Sequence, residues 1–180
     1  MAWTVTGPAA ELVLRAQGAL RASGADAKWA DGPPFHVTAA FLGETDASRL
    51  ADLRACAAEA AAEAPPPAEA ALEGLGAFPS WEAPKVLWAG VGRGGGDLTA
   101  AGRAIIRRLA AHGFPVEDRP FVPHATLGRL RSKRGLAALA AAAERWRAPE
   151  AWAGASFACG PVRLIASVLT PNGPIHTELS

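Results

Sequence analysis

Apolar and polar positions along the chain fall into short blocks whose period alternates between helical and extended. In residues 9–23, AAELVLRAQGALRAS, Leu12, Val13, Ala16, Ala19 and Leu20 recur at the spacing of one helix face, and Gly24 supplies a stop. Residues 35–42, FHVTAAFL, lean towards β-structure and are bounded by Pro33-Pro34 and Gly43. Residues 46–64 return to a helical pattern, with Asp46 or Ser48 near the cap and Pro65-Pro66-Pro67 as the break. Residues 69–78 and 85–91 predict two strands separated by the turn-rich PSWEAP. The pattern then restarts with a helix over 97–112, a strand over 121–130, a helix over 133–146, and strands over 152–158 and 161–170.

The order helix, strand, helix, strand, strand therefore occurs twice. A displacement of 88 residues carries His36 onto His124 and the first helix onto 97–111. An internal duplication accounts for this economically. Two consecutive strands in each half indicate an α+β architecture rather than a parallel α/β sheet. The glycine-rich GRGGGD at 92–97 lacks the Lys and Ser/Thr of a phosphate-binding P-loop and reads as a turn and cap before the helix.

Composition narrows the function classes. The 180 residues are half hydrophobic, which fits a folded chain with a core, and the net charge of +1 gives no bulk attraction to nucleic acid or membrane. A local basic cleft remains compatible with that balance. Of the 18 basic residues only Lys28, Lys85 and Lys133 are lysine, and arginine is the better fork for phosphate. Cys56 and Cys159 form neither a disulfide framework nor a structural zinc site and read as buried small apolar residues. No apolar run approaches the ~20 residues of a membrane span, and MAWTVTGPAAE does not read as a secretory signal, so a cytoplasmic protein with no membrane association is expected.

The candidate chemistry lies in the histidines. Two of the four share one tripeptide pattern, His36-Val37-Thr38 and His124-Ala125-Thr126, at matching places in the two halves. On a strand, residues i and i+2 point to the same face, about 6.5 Å apart. Each strand thus presents an imidazole beside a hydroxyl, and two such strands facing each other across a cleft suit attack on a phosphodiester. One imidazole takes a proton from the nucleophile, and the other gives one to the leaving oxygen. The hydroxyls donate to the non-bridging oxygens, where charge builds up. A strained cyclic phosphate needs mainly this proton traffic, without metal or cofactor. Joint metal binding by His36 and His124 is the competing reading, with no carboxylate in either strand to support it.

The flanks WADGPPFHVTAAFLGE and GFPVEDRPFVPHATLGRL resemble the two-histidine phosphoesterase superfamily, and within it the RNA 2',3'-cyclic phosphodiesterases, also called 2'-5' RNA ligases. The resemblance rests on His36, Thr38, Phe41, Leu42 and Gly43, and on Pro123, His124, Thr126, Leu127 and Arg129. Near the C-terminus it rests on Ser167, Leu169, Pro171, Gly173 and Pro174. The opening MAWTVTG is shorter than the family's usual first strand, Ala39 and Ala40 are smaller than usual, and His176 stands where a Tyr is common.

The resemblance implies a bilobal α+β fold with two antiparallel sheets lining a central cleft, helices outside, and repeat halves of roughly 1–92 and 93–180 in one domain. It implies hydrolysis of an RNA terminal 2',3'-cyclic phosphate to a 2'-phosphate, with 2'-5' ligation as the reverse reaction, and a monomer acting on RNA ends or nucleotides. It assigns His36 as general acid and His124 as general base, with Thr38 and Thr126 on the phosphate; the sequence itself leaves the reverse assignment open. Rival readings are the same apparatus acting on a nucleotide 2',3'-cyclic phosphate, an ADP-ribose cyclic phosphate or a 2'-5' oligonucleotide, and a non-catalytic RNA- or nucleotide-binding module.

Arg129 carries the substrate-binding expectation, with Arg131 behind it. Regular alternation from His124 points Arg129 away, and a bulge or bend at Gly128 returns it. Phe41 is expected in the core, Trp29 as a packed aromatic at a loop end, His112 as a helix C-terminal cation and His176 at the surface.

Overall fold

The computed structural model describes residues 1–30, 34–117, 120–170 and 173–179. Nine strands and four α-helices are formed among them. They run β1 (Ala2–Val5), α1 (Gly7–Arg21), β2 (Ala27–Trp29), β3 (Phe35–Thr38), α2 (Leu50–Glu63), β4 (Glu69–Phe78), β5 (Val86–Val91), α3 (Gly95–Ala111), β6 (His124–Leu130), α4 (Leu136–Arg147), β7 (Ser156–Ala158), β8 (Leu164–Thr170) and β9 (Gly173–Leu179).

The helices begin and end where local chemistry directs. Pro8 opens α1, where its missing N–H costs nothing, and the stripe Leu12, Val13, Ala16 and Leu20 faces the core. Asp46 accepts a hydrogen bond from the Ser48 N–H at 2.8 Å and caps the short 3-10 turn that leads into α2. The glycine-rich segment before α3 behaves as a cap: Gly94 has φ 76° and lies so close to β4 that a Cβ would come within 3.0 Å of the Glu69 carbonyl oxygen.

The α+β class is the expected one. Seven strands form a sheet in the order β1-β3-β6-β5-β4-β7, with β2 pairing β6 beside β3, and β8 and β9 form a separate ribbon. The assigned pairs are antiparallel. The two sequence halves interleave: β6 of the second half lies between β3 and β5 of the first. The motif strands expected on opposite sides of a cleft are therefore lateral neighbours in one sheet. One face of that sheet packs into an apolar core that includes Val37, Leu87, Ala89, Ala125 and Leu127 together with the inner stripes of α1 and α3.

Several boundaries differ from expectation. The strand expected over 35–42 ends at Thr38. The strand expected over 152–158 starts only at Ser156, because Pro149–Trp152 form a 3-10 turn held by the Trp152 indole N–H on the Trp146 carbonyl at 2.7 Å. Strands β1, β2 and β9 were not expected.

Candidate active site

The two His-x-Thr motifs meet through backbone pairing. Val37 lies opposite Ala125 in the antiparallel β3–β6 pair, and both are fully buried. Continuing that register puts His36 opposite Thr126 and Thr38 opposite His124, all four on the other face and all half-buried. Each imidazole thus adjoins the hydroxyl of the other motif, and the histidines occupy a diagonal. Diagonal positions of an antiparallel pair are separated by about 7 Å, within reach of long and aromatic side chains.

A cavity of about 560 Å³ opens over this face. Thr38, His124, Thr126 and Arg129 belong to its wall, and His36 stands beside them in the register without being part of the lining. Much of the remaining wall is apolar, with Phe41, Phe78, Phe121 and Val122, while Lys85 and Glu117 add charge. A mixed wall of this kind suits a ligand with one flat apolar part and one anionic part.

His124 is held from three sides. Its Nδ1 lies 2.7 Å from the Val122 carbonyl oxygen. A carbonyl only accepts, so Nδ1 carries the proton in this contact, and the lone pair of the neutral ring belongs to Nε2. The ring meets Phe78 edge-on at 5.1 Å and Trp88 at 5.8 Å. The Trp88 indole has space because Gly76 and Gly90 flank it; a Cβ on Gly76 would come within 2.2 Å of the indole.

Arg129 reaches the same cavity through a bulge. Strand β5 pairs Trp88 with Thr126 and Leu87 with Gly128, so Leu127 has no opposite residue. The extra residue reverses the alternation and returns Arg129 to the side of Thr126 and His124. Gly128 follows the extra residue and leaves room for the Trp29 ring, which a Cβ there would meet at 2.7 Å. Arg131 does not line the cavity. Among the described residues no three His, Cys, Asp or Glu side chains come together as a metal ligand set.

Known proteins share both sequence and shape with this chain. The profile of the 2'-5' RNA ligase superfamily matches residues 9–165. The chain belongs to that superfamily. The RNA 2',3'-cyclic phosphodiesterase of Aeropyrum pernix is 33% identical over 167 residues, covering 93% of this chain and 92% of the relative. That of Archaeoglobus fulgidus is 32% identical, covering 81% of this chain and 77% of the relative. Among solved structures, the Thermus thermophilus protein TT0787 aligns over 100% of this chain and 96% of its own, with 29% identity and a TM-score of 0.65. Escherichia coli LigT in its apo form shares the fold at a TM-score of 0.73 and 22% identity, over 99% of this chain and 92% of its own. The superfamily is one of phosphoesterases, and this chain is an enzyme of that class.

Within the superfamily fold the remaining expectations sort cleanly. Phe41 is corrected: it is 62% exposed and forms part of the cavity wall, because β3 ends before it and strand parity no longer applies. Trp29 packs on Gly128 as expected of a packed aromatic, but from the end of strand β2, which pairs it with Gly128, rather than from a loop. His112 caps α3, with its Nε2 at 3.4 Å from Glu59. The side chain of His176, and Pro171 of the C-terminal motif, lie outside the described residues. The sequence reading missed Phe78, Lys85 and Trp88. The turn at PSWEAP marks the β4–β5 hairpin that carries them, but nothing local says that the hairpin abuts His124.

That packing makes a prediction. Gly76→Ala drives a methyl into the Trp88 indole, so the melting temperature falls by about 2–12 °C, the range that overpacking costs in a chain of this size. Phosphodiester turnover falls with it, because the flank of His124 moves. A thermal melt beside an initial-rate assay checks both, and an unchanged melt contradicts the placement of Trp88.

Proposed function

We propose that this enzyme hydrolyses a terminal 2',3'-cyclic phosphate of RNA to a 2'-phosphate, without a metal, using the two His-x-Thr motifs. The observation that carries the reading is the Val37–Ala125 pairing, whose register gives His36, Thr38, His124 and Thr126 neighbouring positions on one face of the sheet. The relatives named RNA 2',3'-cyclic phosphodiesterase supply the substrate class.

In this mechanism Nε2 of His124 takes a proton from water, and the water oxygen attacks phosphorus. The P–O3' bond breaks as His36 delivers its proton to O3'. Thr38 and Thr126 donate to the non-bridging oxygens, and Arg129 supplies countercharge to the phosphate. The products are a 2'-phosphate and a free 3'-hydroxyl, and the two rings exchange protons with solvent before the next turn. The Val122 contact supports His124 as base, since it leaves the neutral ring's lone pair on Nε2. When a 5'-hydroxyl takes the place of water, His124 accepts its proton, His36 again protonates O3', and the product is a 2'-5' linkage; the roles exchange only when that linkage is cleaved back to the cyclic phosphate.

A nucleoside 2',3'-cyclic phosphate is the second reading, favoured by a cavity of about 560 Å³, which is room enough for one nucleotide. The deciding experiment offers both substrates with EDTA present. Turnover of the RNA end to a 2'-phosphate, faster than that of the mononucleotide, is the expected result. Turnover that disappears with EDTA and returns with a divalent cation removes the metal-independent mechanism. No turnover of either substrate by folded protein removes the catalytic reading and leaves a binding module.

A further inference from the structure

The bulge that brings Arg129 into the cavity is tied to a residue far from it. Among the described residues Gln17 is the one buried polar or charged side chain, 3% exposed, on the core face of α1. Its Nε2 donates to the Leu127 carbonyl at 2.9 Å and to the Ala30 carbonyl at 2.9 Å. Leu127 is the extra residue of the β6 bulge, and Ala30 follows the last residue of β2. The Ala30 N–H also donates to the Leu127 carbonyl at 2.9 Å, and Arg21, one turn along α1, reaches the Ala30 carbonyl at 3.3 Å.

These contacts sit where regular strand pairing is interrupted. A bulge takes carbonyls out of the ladder, and a buried carbonyl without a donor is costly. An apolar residue at position 17 fills the space but supplies no N–H. Among the described residues Leu127 then keeps the Ala30 N–H, and the Ala30 carbonyl keeps the exposed Arg21. A β6 without the bulge restores simple alternation and turns Arg129 off the cavity face, to the side opposite His124 and Thr126.

We infer that Gln17 is a positioning residue: its side-chain amide locks the β6 bulge that places Arg129 on the phosphate. The inference rests on the proposed function only in taking a phosphate group as what Arg129 holds. It concerns a group that touches no substrate and acts through the backbone between Thr126 and Arg129.

The test is a double-mutant cycle with inorganic phosphate as the probe and RNA 2',3'-cyclic phosphate turnover as a second readout. Arg129→Ala weakens phosphate binding about tenfold or more, as expected for loss of a charge-assisted contact. Gln17→Met weakens it about tenfold by misplacing that contact. Combined with Arg129→Ala, Gln17→Met adds almost nothing, because both act on one interaction. Gln17→His, whose Nε2–H restores a donor at similar reach, returns binding to within about threefold of wild type. Circular dichroism confirms folding of each variant. If Met at position 17 does not give folded protein, Gln17→Asn, too short to reach both carbonyls, takes its place in the cycle. Equal losses from the position 17 change with and without Arg129 overturn the inference, as does a lowered melting temperature with unchanged phosphate binding. Wild type that binds phosphate through this cycle but leaves RNA 2',3'-cyclic phosphate intact overturns the proposed substrate and not the role of Gln17.

Discussion

Replacement of His124 by Ala lowers kcat on a short RNA ending in a 2',3'-cyclic phosphate by about 10²–10⁴-fold, and replacement of His36 by Ala does the same. The two losses differ in their pH dependence. In the wild type a base must be unprotonated and an acid protonated, so the rate rises and then falls across the range in which imidazole exchanges its proton. His124→Ala removes the base, so the residual rate loses the rising limb on the acid side. His36→Ala removes the acid, so the residual rate loses the falling limb on the alkaline side. Profiles of kcat/KM between about pH 5 and pH 9 for the three proteins decide the assignment. Exchange of the two missing limbs reverses the roles. A flat wild-type profile rules out an imidazole pair, whatever the size of the mutational losses.

The diagonal that this prediction uses was only half legible in the sequence. The like-facing of His36 with Thr38, and of His124 with Thr126, follows from a period of two and needs no knowledge of the rest of the fold. The lateral pairing of the motifs does not follow, because β3 and β6 are separated by more than eighty residues and their register depends on tertiary packing. The outcome matters for the chemistry. Facing strands would have left the gap between the histidines to the separation of two lobes, whereas pairing fixes it through a backbone ladder.

Other successes and failures have similarly local causes. Gly128 was readable as a bend because a glycine inside a strand pattern marks a bulge, and the register shift there returns Arg129 to the cavity. The tie from Gln17 was not readable: it spans 110 residues to Leu127, and a lone Gln within an apolar stripe carries no sign of its partner. β1 and β2 are four and three residues long, too short to show alternation. Phe41 was misplaced because its parity was counted along a strand that stops at Thr38.

Replacing Thr38 or Thr126 by Val gives the second large effect, a loss of about 10²-fold in kcat for each, with little change in KM. The reasoning begins with shape. Val matches Thr in size and branching and suits a strand, so the ladder that holds the histidines stays intact and the melting temperature with it. Only the hydroxyl is lost. Because each Thr stands opposite the other motif's His in the register, the two Thr positions form the second diagonal of the same four-residue patch. In the proposed mechanism the attacking and leaving oxygens of the phosphate lie towards the two histidines and its non-bridging oxygens towards the two hydroxyls. Charge on those oxygens grows as the water oxygen bonds to phosphorus, so the hydroxyls contribute more in the transition state than in the bound cyclic phosphate. That difference appears as equal losses in kcat and kcat/KM. Thr→Ser keeps the donor and restores most of the rate, while a rise in KM at constant kcat in the Val variants shows that the hydroxyls only hold the ground state.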